Sequence, residues 1–256
     1  MAHPLFEGQG NYFRRVLVLV LGLSIMAFAI AMSKKAFLGT SPISCIPATL
    51  TDCYPEWGLT LGDWTIVFNL ILVGLQVCIL RRDFRPVQVL QILLAVFLGK
   101  MTDVSMDYLL FFMNADSYVM QWIFCILSCA LLGLGVMIEI KAKLLVVPGD
   151  GLVIAMAAHV RKLDFRKLKL LTDSSMVIIA AVISLCAVSY LTGAREGSIF
   201  AAIAISNFLW FFRNRLGKYI DRFLGDETGA RASRDRDCPP RRLPADSRCA
   251  DRVRLC

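Results

Sequence analysis

The sequence predicts an all-α membrane protein with six transmembrane helices, arranged as two inverted three-helix halves. Of its 256 residues, 57% are hydrophobic and only 19% are charged, whereas about a quarter of an ordinary soluble domain is charged. The apolar residues fall into long runs, and the basic residues concentrate in alternate loops. Both patterns are typical of a chain that crosses a bilayer several times.

Six apolar runs predict the helices in order. They lie at about 14–36, 63–80, 87–112, 118–140, 174–192 and 197–213. Spanning takes ~20 residues, so the third run, with its polar interruptions, is the least conventional and the sixth is marginal. The first run exceeds a signal-peptide core and five more follow, which favours an uncleaved first helix.

The basic residues predict the orientation. Ten of them lie between helices two and three or between helices four and five, and three lie on the other side. The positive-inside rule therefore places both termini in the cytoplasm. The net charge of +8 follows these loops, so we expect the lipid bilayer, and no nucleic acid, as a partner.

The last 31 residues, 226–256, differ from the membrane domain at 1–225. They mix both charges with Pro and contain almost no large apolar residues, so we expect a disordered cytoplasmic tail. The three cysteines of this tail fit no zinc spacing, and most other cysteines lie singly in apolar runs. We expect neither a metal site nor a cofactor.

Two short segments divide the domain into halves at about 14–112 and 118–215. Gly39, Thr40 and Ser41 open the first segment, and Pro148 and Gly149 open the second. Each segment is too short to span, and a full helix led by an aspartate follows each. Three spans per half would invert the second half, and paired broken segments of inverted halves indicate a transporter site. Two interpretations are open: re-entrant half-helices at 41–51 and 150–160, or short interfacial helices with ordinary caps.

Ionisable residues supply the candidate site. Asp150 follows Pro148-Gly149 at a helix start; it is either an intramembrane carboxylate or an N-cap at the interface. Lys100 and Asp103 fall on one helix face and are expected to form a paired interior site. For Lys169 and Asp173, spaced i, i+4, an interfacial salt bridge is the favoured interpretation.

Small residues and thiols complete the candidates. Cys45 and Cys53 lie on the predicted external side, where an oxidising exterior would permit a disulfide, although two unpaired thiols are favoured. Small residues also recur every fourth position, at 198, 202 and 206 and at 125, 129 and 133. Such stripes predict close helix packing, within the bundle or in a homo-oligomer.

Several motifs also resemble a known family. They are "LGTSPISCIP", "LTLGDWTIVFNLILVGLQ", "VPGDGL", "LKLLTDSSMV" and "REGSIFAA", which are similar to the YczE/YyaS/YitT family of bacterial integral membrane proteins, its YczE-like branch above all. The resemblance covers most of residues 14–215. It implies a multispanning protein of the bacterial inner membrane and supplies no reaction.

Two functions remain open. The first is a small-solute or ion transporter with its site between 39–45 and 148–154. The second is a membrane scaffold that acts through partner proteins. No HExxH, GxSxG or Walker motif occurs in the sequence, so we expect no enzyme activity.

Overall fold

The computed structural model describes residues 12–80, 89–109, 117–159, 165–188 and 196–224 as helices and short connections, and these residues contain no strand. The helices are α1 (Tyr12–Lys35), α2 (Pro42–Cys53), α3 (Leu61–Leu80), α4 (Gln91–Val104), α5 (Tyr118–Ala142), α6 (Pro148–His159), α7 (Phe165–Val188), α8 (Glu196–Arg215) and α9 (Gly217–Phe223). A 3₁₀ turn follows α2, and a π-helical turn, Ser105–Leu109, continues α4.

Within the part of the chain that the structure describes, four helices are long and apolar enough to cross a membrane: Tyr12–Lys35, Leu61–Leu80, Tyr118–Ala142 and Leu168–Ala187. The chain is therefore an all-helical protein with membrane-spanning character. Helix α4 has only 14 residues before its π-helical turn, and α8 is less apolar. The arrangement of six spans stays a prediction, and the predicted tail at 226–256 lies outside the described residues.

The start of α7 differs from the prediction. The apolar run begins near 174, but the helix begins at Phe165. Its early turns carry Lys169 and Asp173, which are buried and paired with each other. A hydropathy pattern reads such residues as a boundary, because it scores each side chain without its partner. The i, i+4 ion pair is therefore present but buried in the protein rather than at its surface, and its interfacial location stays a prediction.

Helices α1 and α5 form the centre of the bundle and run antiparallel. Arg15, near the start of α1, donates a hydrogen bond to the carbonyl oxygen of Ala142 at the end of α5, at 3.3 Å. Further along, a methyl group on Gly135 would lie 2.5 Å from Cγ of Met26 and 3.0 Å from the carbonyl oxygen of Gly22. Glycine at this crossing lets the two backbones approach closely.

The remaining helices pack in two equivalent sets around this pair. Helix α4 packs on α1 as α8 packs on α5, and α3 contacts α4 as α7 contacts α8. The short helices cross over between the sets: α2 packs on α7, and α6 packs on α3. Each contact between these eight helices thus has a counterpart when α1, α2, α3 and α4 are replaced by α5, α6, α7 and α8, and the reverse.

The backbone repeats at a constant offset where each long helix gives way to a short one. Phe37 and Lys143, 106 positions apart, both have positive φ angles, of 58° and 53°. Pro42 and Pro148, also 106 positions apart, each begin a helix of 12 residues. As expected, Ser41 is the N-cap residue before Pro42, but its hydroxyl bonds the side chain of Ser44 rather than a backbone N–H.

One hydrogen bond repeats at the same offset. The backbone N–H of Ser41 donates to Oγ of Ser33 at 3.4 Å. In the second half, the N–H of Val147 donates to Oε1 of Glu139. Both acceptors lie eight residues before their donors and 106 positions apart. The halves therefore share a backbone design but place different side chains at this position.

The small-residue stripes pack inside the bundle, as one of the two interpretations predicted. A methyl group on Gly133 of α5 would lie 2.9 Å from Cβ of Phe208 on α8. The other members of the two stripes are buried: Cys125, Cys129, Ser198, Ala202 and Ser206. The stripes thus contribute to the contact between α5 and α8.

Helices α3 and α4 approach each other closely at Gly62 and Gly99, and this crossing yields a stability prediction. A methyl group on Gly62 would lie 2.2 Å from the carbonyl oxygen of Gly99. Because backbone cannot yield as a side chain can, we expect Gly62→Ala to destabilise the protein by about 1–3 kcal/mol or more. Thermal unfolding of the detergent-purified variant measures the loss.

Gly74 of the same helix is the matched control, since a methyl group there would meet no atom within 4 Å. Gly74→Ala should leave stability unchanged or raise it by up to about 1 kcal/mol through helix propensity. Equal unfolding temperatures for the two variants would contradict the close crossing of α3 and α4.

Candidate functional site

The starts of the two short helices meet, as the sequence predicted. A methyl group on Gly149, in the first turn of α6, would lie 2.8 Å from Cδ1 of Ile43, in the first turn of α2. Ile43 and Gly149 are themselves 106 positions apart, so the two halves touch at equivalent residues. The starts of the predicted segments 39–45 and 148–154 therefore come together.

A buried ion pair anchors the start of α6 to α7. The Nζ atom of Lys169 lies 2.8 Å from Oδ1 of Asp150 and 3.2 Å from Oδ1 of Asp173. All three residues are buried, with Asp150 only 1% exposed. Asp150 is the third residue of α6, not its N-cap. Of the two interpretations of Asp150, the structure therefore favours the buried carboxylate.

Glu139 of α5 adds a third carboxylate, and sequence reasoning missed it. This residue is fully buried, and it interacts electrostatically with Asp150 and Lys169. Its Oε1 accepts the N–H of Val147, so it also ties the end of α5 to the start of α6. A signal existed in the sequence, because Glu139 is the one acidic residue of the apolar helix α5.

Two glutamines line the same region. Nε2 of Gln76 donates a hydrogen bond to the carbonyl oxygen of Pro148 at 2.8 Å. A methyl group on Gly151 would lie 3.0 Å from Nε2 of Gln91 and 3.1 Å from Oε1 of Gln76. Gln76 thus holds the start of α6 against α3. Glycine at 151 leaves the space that these amides need.

Glu139, Asp150, Lys169 and Asp173 form what we call the buried charge cluster. It combines three carboxyl groups with one ammonium group. Among the described residues, no hydrogen-bond donor reaches Oε2 of Glu139 or either oxygen of Asp150, whose contact with Lys169 is an ion pair without hydrogen-bond angles. A buried carboxylate is costly unless paired. The cluster therefore suits uptake of a further positive charge.

A small pocket lies beside the first broken segment. It has space for about one water molecule. Gly39, Thr40 and Ser41 line it together with side chains of α1, α5 and α8, which include Ser33, Ser128, Cys125 and Cys129. The left-handed φ of Gly39, 115°, suits only glycine at this turn. The predicted residues of the first segment thus border a small space whose accessible walls are mostly apolar.

Lys100 and Asp103 do not form the predicted interior pair. The Lys100 side chain is 59% exposed, and its Nζ lies 2.6 Å from Asp63 and 4.0 Å from Asp103. Asp103 instead accepts hydrogen bonds from the Thr60 hydroxyl and the Gly62 N–H. These residues join the end of α4 to the start of α3. Gln76 and Gln91 lie near the opposite ends of the same two helices. The position of Lys100 near a helix end allows it to reach solvent.

Cys45 and Cys53 do not form a disulfide. Both lie on α2, eight residues apart. A helix rises about 1.5 Å per residue, so about 12 Å of helix separates them, beyond the reach of a disulfide. Cys45 is buried, and its thiol donates to the carbonyl oxygen of Thr40. Within the ranges that the structure describes, no group of three or more His, Cys, Asp or Glu residues could hold a metal ion.

Comparison with known proteins places the chain in one family. A family of unknown function, DUF6198, matches residues 13–214, and the chain belongs to it. The match leaves out the predicted tail, as did the resemblance seen in the motifs. No curated protein and no solved structure matches the chain. The more specific likeness to the YczE-like branch stays a prediction.

The burial of Lys169 predicts how much stability its charge provides. In Lys169→Met, Asp150 and Asp173 would remain buried without a counter-charge. We expect a loss of about 3–5 kcal/mol, the usual effect of removing one partner of a buried pair. Thermal unfolding in detergent measures it.

Lys100→Met is the matched control, because Lys100 also lies near two carboxylates but is largely exposed. Exposed pairs contribute only about 0–1 kcal/mol. A loss at Lys169 no larger than that at Lys100 would contradict a desolvated cluster.

Proposed function

We propose that this protein is a carrier for a small solute or an ion, with its site at the meeting point of α2 and α6. The observation that carries the proposal is the ion pair of Lys169 with Asp150 at the start of α6, buried among helices with membrane-spanning character. Ionisable residues within a membrane domain are costly and generally mark a pathway for ions or protons. We expect no enzyme activity and no cofactor.

We also propose that the domain spans the inner membrane of a bacterium six times, as two inverted halves with cytoplasmic termini. The offset of 106 residues, the exchangeable helix contacts and the antiparallel α1 and α5 support this arrangement. A two-fold axis along the membrane normal would make equivalent helices parallel. An axis in the membrane plane makes them antiparallel, as in inverted-repeat transporters.

The geometry of the short helices supports a carrier over a purely structural bundle. Two helices of 12 residues cannot span a bilayer. Their starts meet inside the protein, where the buried side chains of Gln76 and Asp150 lie at the start of α6. Irregular backbone is tolerated at membrane depth only where protein buries it or where it lines a cavity.

The first test of the carrier is ligand binding followed by flux. Thermal unfolding of the purified protein is measured with a panel of ions and small metabolites. A ligand at a hundred times its Kd adds about 2.7 kcal/mol to the stability of the native state. We expect Asp150→Asn to remove both this shift and the uptake of the same compound into proteoliposomes.

Asp52→Asn is the control, since Asp52 is also paired with a lysine, Lys34, but lies outside the buried charge cluster. It should retain uptake. Normal uptake in Asp150→Asn would reject the assigned site. Absence of any ligand, together with stoichiometric co-purification of another protein, would favour the scaffold function instead.

The six-span topology has its own test. In a variant without native cysteines, Asn114→Cys should react with a membrane-impermeant maleimide added outside intact cells, because six spans place the loop between helices three and four outside. Arg82→Cys should react only after the cells are permeabilised. Reaction of both positions from the same side would rule out a crossing by the third helix.

A further inference from the structure

If all four side chains of the buried charge cluster were ionised, its three carboxylates and one ammonium group would leave a net charge of −2. Lys169 provides one positive charge, and it already lies against Asp150 and Asp173. An ionised Glu139 would bring a third negative charge, with no cation of its own and no exposure to water. In a low-dielectric interior, like charges at short range are strongly unfavourable.

We propose that Glu139 is a proton-binding site, and that its carboxyl group holds an exchangeable proton at neutral pH. Oε1 of Glu139 accepts the N–H of Val147, while Oε2 has no donor among the described residues. Protonation of Oε2 forms one O–H bond from a lone pair and a solvent proton, without any redox change. Protonation turns this unpaired buried acceptor into a donor. It also reduces the net negative charge of the cluster from −2 to −1.

Asp150 and Lys169 are the charged groups that act on Glu139 among the described residues. Helix α6 contributes Asp150 and α7 contributes Lys169 and Asp173, as described, whereas α3 and α4 contribute only the neutral amides of Gln76 and Gln91 to this region. On α1, Arg15 donates to the carbonyl oxygen of Ala142, and on α9, Asp221 pairs with Lys141.

The comparison of the two halves supports a specific role for Glu139. The equivalent acceptor in the first half is Ser33, whose hydroxyl meets the same need for a hydrogen bond without a charge. A carboxyl group is therefore unnecessary for the turn between α5 and α6. Its presence in one half alone indicates a function that the serine of the other half lacks.

The same contacts connect the proton to movement of α6. Glu139 binds the backbone N–H of Val147, three residues before Asp150. Loss of the proton would place a second negative charge beside Asp150 and strain the start of α6. The role of the proton as a coupling ion rests on the proposed function. The presence of the proton on Glu139 does not require transport.

Infrared spectroscopy of the purified protein in lipid tests the proton directly. At pH 8 we expect a carbonyl band of a protonated carboxylic acid that shifts when H₂O is replaced by D₂O. Glu139→Gln should lose the band, and Glu56→Gln, at an exposed glutamate of the turn Pro55–Trp57, should keep it. A band that is absent from the wild type, or that survives in Glu139→Gln, would overturn the proposal.

Two further measurements keep the test decisive. If Glu139→Gln does not fold, wild-type protein labelled with ¹³C at glutamate carboxyl groups should show a shifted band, whereas labelling at aspartate should leave the band in place. The reverse would overturn the assignment.

Proton entry into proteoliposomes is then followed with an enclosed pH dye. A band that maps to Glu139 without proton entry would support the site and reject the coupling, so the two failures are distinguishable.

Discussion

The site depends on the contact of Lys169 with Asp150 and Asp173 inside the bundle. This contact places an ionised group from α7 against the first turn of α6, and thereby holds a helix of 12 residues away from solvent. Without the lysine, two carboxylates would be buried with no counter-charge. The cluster therefore couples the position of the short helix to the charge state of its neighbours.

A recurring spacing of 106 residues relates the two short helices at the candidate site. In each half, a residue of positive φ follows the long helix, and after four further residues a proline starts the short helix. Because the short helix of each half packs on the third helix of the other half, their starts meet at Ile43 and Gly149. The two halves then diverge chemically: Ser33 borders a small pocket, while Glu139 belongs to a charged cluster.

Ion pairs elsewhere in the protein have a different character. Asp63 and Lys100 join α3 to α4, and Lys34 joins the end of α1 to Asp52 on α2. Lys100 is largely exposed, so its pairing is screened by solvent and contributes little to stability. The contrast with Lys169 separates charges that fix helix ends from charges that are retained at a cost in the interior.

The sequence by itself determined the class of protein and the boundaries of most helices. Length and hydropathy of the apolar runs are local properties, and so are the Ser-Pro and Pro-Gly starts at Pro42 and Pro148. The sequence also predicted the approach of the two broken segments, which the contact of Gly149 with Ile43 shows. It singled out Asp150 as well, and the role of this residue stays a prediction.

Only the tertiary structure decided which charges are buried together. Lys169 and Asp173 resemble an interfacial pair in sequence, and Lys100 and Asp103 resemble an interior pair. The protein nevertheless buries Lys169 and Asp173 and leaves Lys100 largely exposed. Burial of a charge depends on partners that are distant along the chain, such as Asp150 for Lys169 and Val147 for Glu139. Local spacing cannot supply those partners, since they are brought together only when α5, α6 and α7 pack.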